Sequence, residues 1–229
     1  MTNKIFFLLL AAALMLAGCT DEAVVAESGW LEISSVRLID AERVVVQTRA
    51  ADSDLNVDIY NAAGTKVLSY PAGSLAAGKK VYVAAGTYRF HAYTSNYNTP
   101  VTSTDPGTPK VSGERTFAVK TDVVTYLEME VPMVNAAVSL TLPEDFSSLF
   151  TSYTFTANVG SRTMVVTDGN TAYFDLKGND KVIYTLSATN IDGETMSQQG
   201  TFNIYAGYVY DITFAYGDTQ KLSPVVRKR

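Results

Sequence analysis

An alternation of apolar and polar residues that changes phase between Val123 and Leu142 organises this chain. Up to Val131 the apolar residues occupy odd positions, and from Val134 onward they occupy even positions. A period of two predicts a half-buried β-strand, and a shift by one residue moves the buried set to the other face. Because the phase changes at Pro132, which fits poorly inside a sheet ladder, the pattern predicts that one domain ends there and a second begins.

The flanking sequence predicts an all-β chain in which Gly, Pro and Asn turns separate short strands. The expected strands are 31–38, 44–47, 57–60, 66–70, 80–83, 87–93, 114–119 and 123–131, then 134–142, 154–159, 163–166, 172–176, 182–188, 195–204 and 208–216. Tyr88, Phe90 and Ala92 share the face of their strand that is expected in the core. In the strand that starts at Val134, Asn135 and Ser139 are expected on the face away from the core. A short helix is expected at 143–150, where Pro and acidic residues precede apolar ones.

Two segments of the chain repeat each other in order. Tyr88-Arg-Phe-His-Ala92 matches Tyr184-Thr-Leu-Ser-Ala188, and Gly64 matches Gly160, both at an offset of 96 residues (184 − 88). Further on, Thr116-Phe117 matches Thr201-Phe202 at an offset of 85 (201 − 116). The repeat predicts two tandem domains, with a longer loop after Tyr93 in the first copy.

The N-terminus has the pattern of an export signal. Lys4 precedes an apolar run from Ile5 to Ala17, which is shorter than the ~20 residues needed to cross a bilayer. Leu16-Ala17-Gly18-Cys19 resembles the bacterial lipobox, which implies cleavage before Cys19 and acylation of that residue. A plain secretory signal with an incidental Cys is the alternative. Stable anchoring through acyl chains requires more than one chain, which the triple acylation of a lipobox Cys supplies.

Composition narrows the possible partners and compartments. Cys19 is the only cysteine, so an exported chain would have no disulfide and would depend on packed cores. The net charge is −5, which argues against binding to nucleic acid or to anionic lipid by charge. Thr20-Asp21-Glu22 resembles the surface-export signal of Bacteroidota lipoproteins, and a solvated tether is the alternative.

Three motifs resemble the fimbrillin-like lipoproteins of Bacteroidota and related lipoprotein families of unknown function. They are Thr48-Arg49-Ala50, the strand Ala85-Gly-Thr-Tyr88-x-Phe90-x-Ala92, and the crossover Glu128-x-Glu130-x-Pro132-x-Val134-Asn135-Ala136. The resemblance implies two tandem transthyretin-like (Greek-key) β-sandwich domains on a lipid anchor. The expected division is a signal peptide at 1–18, a tether at 19–28, one sandwich at 29–132 and another at 133–229.

The resemblance also implies an assembly mechanism. In fimbrial members an Arg-specific protease removes the first strand, and the groove then accepts a donor strand from the next subunit. Arg49 is the matching position here. The residues after Tyr216 depart from the stalk pattern because they include Pro224 and end in Arg227-Lys228-Arg229, which predicts a poor donor strand. An anchor, accessory or lone surface protein is therefore favoured.

Few residues point to catalysis or to a cofactor. His91 is the only histidine, and the chain has no zinc-protease, nucleophile-elbow or phosphate-loop motif. Asp52-Ser-Asp54-Leu-Asn56-Val-Asp58 begins like a calcium loop but has Val57 and Ala63 where Gly and Glu are needed. We prefer to interpret residues 52–58 as the start of a strand whose acidic residues point outward, with a surface calcium site as the alternative. We therefore expect no catalytic residues, no metal and no cofactor.

The loop 94–113 is long, polar and rich in proline, and such loops are often functional. Tyr93 and Tyr97 could present flat faces to a sugar or peptide, or could shield the edge of the sandwich. The sequence thus supports a non-enzymatic surface lipoprotein of the outer membrane. Its role would be in adhesion or as an accessory or anchor part of fimbriae, with other subunits as partners. A glycan-binding lipoprotein is the alternative.

Overall fold

Nearly all of the regular secondary structure in the described chain is β-strand, as the alternation predicts. The structure is a computed structural model that describes residues 28–39, 55–75, 79–102, 104–178, 180–216 and 222–229. Its strands up to residue 132 are β1 (Ser28–Ile39), β2 (Leu55–Asn61), β3 (Lys66–Tyr70), β4 (Lys79–Ala84), β5 (Gly86–Thr94), β6 (Ser112–Val119) and β7 (Val124–Pro132). The later elements are β8 (Ala136–Thr141), α1 (Phe146–Leu149), β9 (Phe150–Val159), β10 (Arg162–Val165), β11 (Thr171–Phe174), β12 (Lys181–Asn190), β13 (Thr195–Asn203), β14 (Val209–Tyr216) and β15 (Leu222–Lys228).

The first half of the described chain, up to Met133, forms two sheets with strand orders β4-β1-β7 and β3-β2-β5-β6. β1 pairs antiparallel with β4 on one side and parallel with β7 on the other, so it occupies the centre of its sheet. Pro132, the last residue of β7, is tolerated because it lies at the end of an edge strand. The expected strand at 44–47 lies outside the described residues.

The second half, from Val134 onward, repeats this arrangement. Its sheets have the orders β11-β8-β14-β15 and β10-β9-β12-β13, and its first strand β8 again pairs parallel with β14. Gly64 and Gly160, matched in the sequence, both adopt positive φ in the turns that follow β2 and β9, at 77° and 60°. The expected helix is confirmed as the single turn α1.

One of the two sequence offsets is out of register with the structure. Tyr88 pairs with Phe117, and its counterpart Tyr184 pairs with Gly200. Phe117 therefore corresponds to Gly200, at an offset of 83 (200 − 117), whereas the sequence match placed it against Phe202. The sequence match paired Phe117 with Phe202 because the two residues are identical. In the structure the residue opposite Tyr184 is Gly200, and the tyrosine ring lies over it.

The phase change in the sequence separates two hydrophobic cores. Leu127, Met129 and Val131 pack in the cluster of the first half, together with Phe90 and Ile59. The even-numbered residues Ala136, Val138 and Leu140 pack in the cluster of the second half, with Phe155, Phe174 and Phe214. The alternation therefore assigns each strand to the correct core.

The expectation of a half-buried β8 is wrong. All its residues from Ala136 to Leu140 are buried, and Asn135 and Ser139, expected on the face away from the core, are only 1% and 9% exposed. The Asn135 side chain makes two hydrogen bonds and the Ser139 hydroxyl makes one, which allows their burial. The sequence pattern alone could not reveal these partners, because they lie far along the chain.

The sequence pattern predicts no strand after Tyr216, but the structure has one there. Residues 222–228 form β15, which pairs antiparallel along the length of β14 from Tyr210 to Tyr216. Pro224 is accommodated because β15 is an edge strand. The tail is thus a strand of the chain's own second half.

Candidate functional site

Tyr93 and Tyr97, the candidate ligand contacts, lie together on the outer face of the β3-β2-β5-β6 sheet. Their ring centroids are 6.1 Å apart, and the imidazole of His91 lies against both. His91 stacks on Tyr93 at 4.6 Å and meets Tyr97 edge-on at 5.9 Å. We call these three half-buried rings the aromatic cluster. Alternation along β5 predicted that His91 and Tyr93 share a face, but the contribution of the loop residue Tyr97 depends on the loop's fold.

Asp58 lies at the base of the aromatic cluster. Its carboxylate accepts hydrogen bonds from Ser69 Oγ at 2.6 Å, Tyr93 Oη at 3.0 Å and Lys66 Nζ at 3.1 Å. Asp58 points to the outer face of its sheet, as expected. Its side chain is nevertheless only 4% exposed, because these hydrogen-bond partners cover it. Burial acts to raise the pKa of Asp58, but these hydrogen bonds outweigh it, and the pKa lies below its usual value.

His91 does not belong to a catalytic triad. Its Nε2 lies 2.9 Å from Ser112 Oγ, a distance suited to a nucleophile and its base. However, Nδ1 is 4.0 Å from Glu114 Oε1, too far for a hydrogen bond, and the same carboxylate oxygen is bound by Arg89. Burial lowers the pKa of His91 below its usual value. Among the described residues no cluster of His, Cys, Asp and Glu is placed to hold a metal ion.

The loop 94–113 joins the two halves of the molecule. Lys110, 4% exposed, directs its ammonium group to Asp175, just after β11, at 2.7 Å and to the carbonyl of Thr99 at 2.6 Å. The backbone N–H of Val101 donates to the same Asp175 carboxylate at 3.2 Å. The proline-rich segment is therefore held against the second half along a line of contacts that we call the seam.

Arg162 of β10 forms the other end of the seam. Its guanidinium donates to the backbone carbonyls of Thr102 and Asp105 in the loop and of Tyr173 in β11. The guanidinium carbon also lies 4.7 Å from the ring centroid of Phe174. The planar guanidinium has several N–H donors in fixed directions, so it can bind these three carbonyls at once, which the ammonium group of a lysine could not do as well.

Asn135 anchors the loop at the crossover between the halves. Its Oδ1 accepts from the backbone N–H of Lys110 at 3.0 Å, and its Nδ2 donates to the carbonyl of Thr108 at 3.0 Å. The crossover motif 128–136, which resembles fimbrillin-like proteins, thus includes Asn135, a residue that binds the loop. No sequence signal connected Asn135 with the loop, because the partners are 25 and 27 positions away.

Cys19 and Arg49, the candidate lipidation and processing sites, lie outside the described residues. The same is true of Asp52 and Asp54 in the stretch that begins like a calcium loop. Within the described part of the chain, no helix combines the length and apolar character required to cross a membrane.

Comparison with known proteins identifies the family and the fold. Residues 27–224 match the family model described as "Domain of unknown function (DUF4493)". A fimbrial assembly protein from Parabacteroides distasonis is similar in structure, with a TM-score of 0.53 and 11% identity, over 87% of this chain and 94% of that one. A fimbrilin from Porphyromonas gingivalis has a TM-score of 0.51 and 10% identity, over 83% of this chain and 90% of that one.

A search of curated proteins finds no significant match. The two solved structures are under 15% identical to this chain, so they establish a shared fold and leave its role open. This structural similarity confirms the resemblance to fimbrillin-like proteins that the sequence motifs indicated. The family model covers nearly all of the described residues, and the chain therefore belongs to the DUF4493 family and has the fold of Bacteroidota fimbrial proteins.

Proposed function

We propose that this protein is a lipid-anchored cell-surface protein that acts in adhesion or as an accessory or anchor component of a fimbria, without enzymatic activity. The observation that carries the proposal is the central position of β1 in a fimbrial-type fold. In this proposal the chain has two tandem transthyretin-like domains, 29–132 and 133–229, after a signal peptide and a tether. Its partners are membrane lipid and other fimbrial subunits.

The position of β1 suits strand exchange. β1 lies between β4 and β7, and Leu31 on it is fully buried. Removing β1 would expose the hydrogen-bonding edges of β4 and β7 and the space filled by Leu31. Such an opening is a template for an added strand. Arg49 lies in the sequence between β1 and β2, so a cut after it would separate β1 from the rest of the chain.

The position of β15 supports an accessory or anchor role over a stalk role. A stalk subunit must give a strand to its neighbour, whereas β15 pairs with β14 along seven residues, from Leu222 to Lys228. Arg229 strengthens this attachment through reciprocal backbone hydrogen bonds with Val209, of 2.8 and 2.9 Å. The tail is therefore engaged within its own chain.

Limited digestion with an Arg-specific protease tests the strand-exchange part of this proposal. We expect the first cut after Arg49, with Arg89 and Arg162 protected by their strands, and an Arg49→Gln variant that resists this cut. The cut protein should self-associate in light scattering or bind a strand-like peptide, whereas the uncut protein should do neither. Cleavage elsewhere first, or a cut product that stays monomeric and binds no peptide, contradicts a fimbrial role.

The anchor is tested separately by Cys19→Ser. The variant should leave the membrane fraction, because it lacks the thiol that accepts acyl chains, while a Thr20→Ala control stays with the membrane. A Cys19→Ser protein that remains in the membrane after a carbonate wash contradicts lipidation.

A second candidate function is glycan binding by the aromatic cluster. Three rings within about 6 Å of one another offer flat faces of the kind on which sugar rings stack. Tyr97→Ala tests this role on a glycan array, since its ring is not needed to bind Asp58. Tyr126→Ala, at a tyrosine 65% exposed on another sheet, is the matched control. Equal binding by both variants contradicts a ligand role for the cluster.

A further inference from the structure

A polar groove lies on the outer face of the β11-β8-β14-β15 sheet, away from the aromatic cluster. Its volume is about 280 Å³, near the lower end of ligand pockets, which suits a ligand the size of one sugar ring. The groove is lined by side chains from all four strands of the sheet. Neither the fold comparison nor the proposed fimbrial role assigns a function to it.

Strand register explains how the groove collects polar groups. Thr171, Ser139, Asp211 and Arg227 are successive cross-strand neighbours, one from each strand. Thr141 and Thr213 form a second pair beside them. The alternate residues of the same strands, such as Val138 and Ile212, are fully buried in the core. The groove face therefore carries hydroxyl, carboxylate and guanidinium groups together.

Asp211 is a fixed acceptor within the groove. Its carboxylate is bound by Ser139 Oγ and by two nitrogens of Arg229, Nε and Nη2. Burial acts to raise the pKa of Asp211, but these hydrogen bonds outweigh it and keep the pKa below its usual value. Asp211 is consequently ionised near neutral pH. The positive charge of Arg229, bound to the same carboxylate, compensates its negative charge.

Arg227 supplies the remaining positive charge. It lines the groove beside Asp211, and its side chain is exposed. The described contacts include no hydrogen bond or ion pair of its guanidinium. A guanidinium binds a carboxylate through two parallel hydrogen bonds, so Arg227 is suited to an anionic group on a ligand.

The rest of the lining selects for hydroxyl groups on the ligand. Thr141, Thr171 and Thr213 can each donate and accept hydrogen bonds. Leu140 is the only apolar residue of the lining with a branched side chain, and that side chain is fully buried. The groove thus offers no apolar surface against which an apolar side chain of a peptide could pack.

From these features we propose that the groove binds a sugar that carries a carboxylate, with Arg227 on the carboxylate and the threonine hydroxyls and Asp211 on the sugar hydroxyls. This inference does not depend on the fimbrial role, because it concerns only the second half of the molecule. Its failure would leave β1 and the strand-exchange proposal unaffected.

Titration of the purified full chain with D-glucuronate, D-glucose and acetate tests the assignment. Glucuronate should bind with a millimolar Kd, and glucose and acetate at least about tenfold more weakly, because each lacks one half of the recognised chemistry. Arg227→Ala should weaken glucuronate binding at least about tenfold, equivalent to about 1.4 kcal/mol. Thr213→Val, which keeps the shape but removes a hydroxyl, should weaken it less, by several-fold.

Lys228→Ala is the matched control. It removes the same charge from the next residue of β15, but the Lys228 ammonium lies 3.5 Å from the ring centroid of Tyr208 instead of lining the groove. Glucuronate binding should be unchanged in this variant. Equal losses in Arg227→Ala and Lys228→Ala, equal binding of acetate and glucuronate, or tighter binding of an acidic dipeptide would each overturn the proposal.

Discussion

Lys110 and Asp175, 65 residues apart in sequence, form an ion pair of 2.7 Å that links the two halves of the molecule. The lysine side chain is 6% exposed and the aspartate side chain 40% exposed. Removing an ammonium group from water is costly unless a partner compensates for it. The pair therefore stabilises the seam only while both residues are present, and it makes the loop 94–113 part of the attachment between the halves.

Asp175→Asn should lower the free energy of unfolding by about 1–2 kcal/mol. The amide retains the shape of the carboxylate but leaves the buried Lys110 ammonium without a negative partner. Urea unfolding measures the loss. Asp192→Asn is the control, since this exposed aspartate side chain makes no described hydrogen bond, and its effect should stay within about 0.5 kcal/mol. Equal stabilities of the two variants would show that the ion pair does not stabilise the fold.

Arg162→Lys should cost about 2 kcal/mol even though the charge is retained. The guanidinium binds three carbonyls on two segments, and an ammonium group cannot reach all three. Arg89→Lys is the matched control, because Arg89 is 42% exposed and has one carboxylate partner, Glu114, which lysine can also bind. If the two substitutions cost the same in thermal unfolding, the three-carbonyl arrangement contributes nothing beyond charge.

Much of the fold follows from local sequence. Alternation placed Phe90, Leu127 and Val138 in the correct cores, and the Gly64–Gly160 match located equivalent turns. These signals are reliable because side-chain direction along a strand depends only on position parity. Strand β15 was missed because Pro224 argues against a strand, and only the location of β15 at a sheet edge removes that objection.

The seam could not be predicted from the sequence. Lys110, Asp175 and Arg162 are ordinary charged residues on polar stretches, and nothing local distinguishes them from solvated ones. Their contacts between the halves span 57 to 74 residues and exist only once both halves are folded. The groove face of β8 is a similar case, because Ser139 and Thr141 resemble a solvent face until Asp211 and Arg227 are brought beside them.

Gly200→Ala should destabilise the second half by about 1–3 kcal/mol. A Cβ at this position would lie 2.2 Å from Tyr184 Oη and 2.4 Å from Cζ, so the buried tyrosine ring would have to move out of its packed position. Ser197→Ala on the same strand, at an exposed residue, is the control and should change little. A Gly200→Ala protein as stable as the control in urea unfolding would contradict the close approach of Tyr184 to this strand.

Asp58→Asn should cost about 2 kcal/mol at neutral pH, with a loss that disappears in acid. The pKa of Asp58 in the folded protein lies below its usual value, because the hydrogen bonds from Ser69, Lys66 and Tyr93 outweigh burial. Folding thus favours the ionised form, and this stabilisation is complete above the unfolded pKa of about 3.9. It declines as the pH falls through that value and then through the lower folded pKa.

The difference between wild type and Asp58→Asn in urea unfolding should therefore be constant above about pH 5 and shrink below it. Tyr93→Phe removes one donor to the carboxylate, so it should raise the folded pKa and move the acid-induced loss to higher pH. Glu130→Gln, at an exposed carboxylate, is the control and should leave the pH profile unchanged. A difference for Asp58→Asn that persists undiminished at pH 2 would mean that its effect arises from packing, and that the charge of the carboxylate beneath the aromatic cluster does not stabilise the fold.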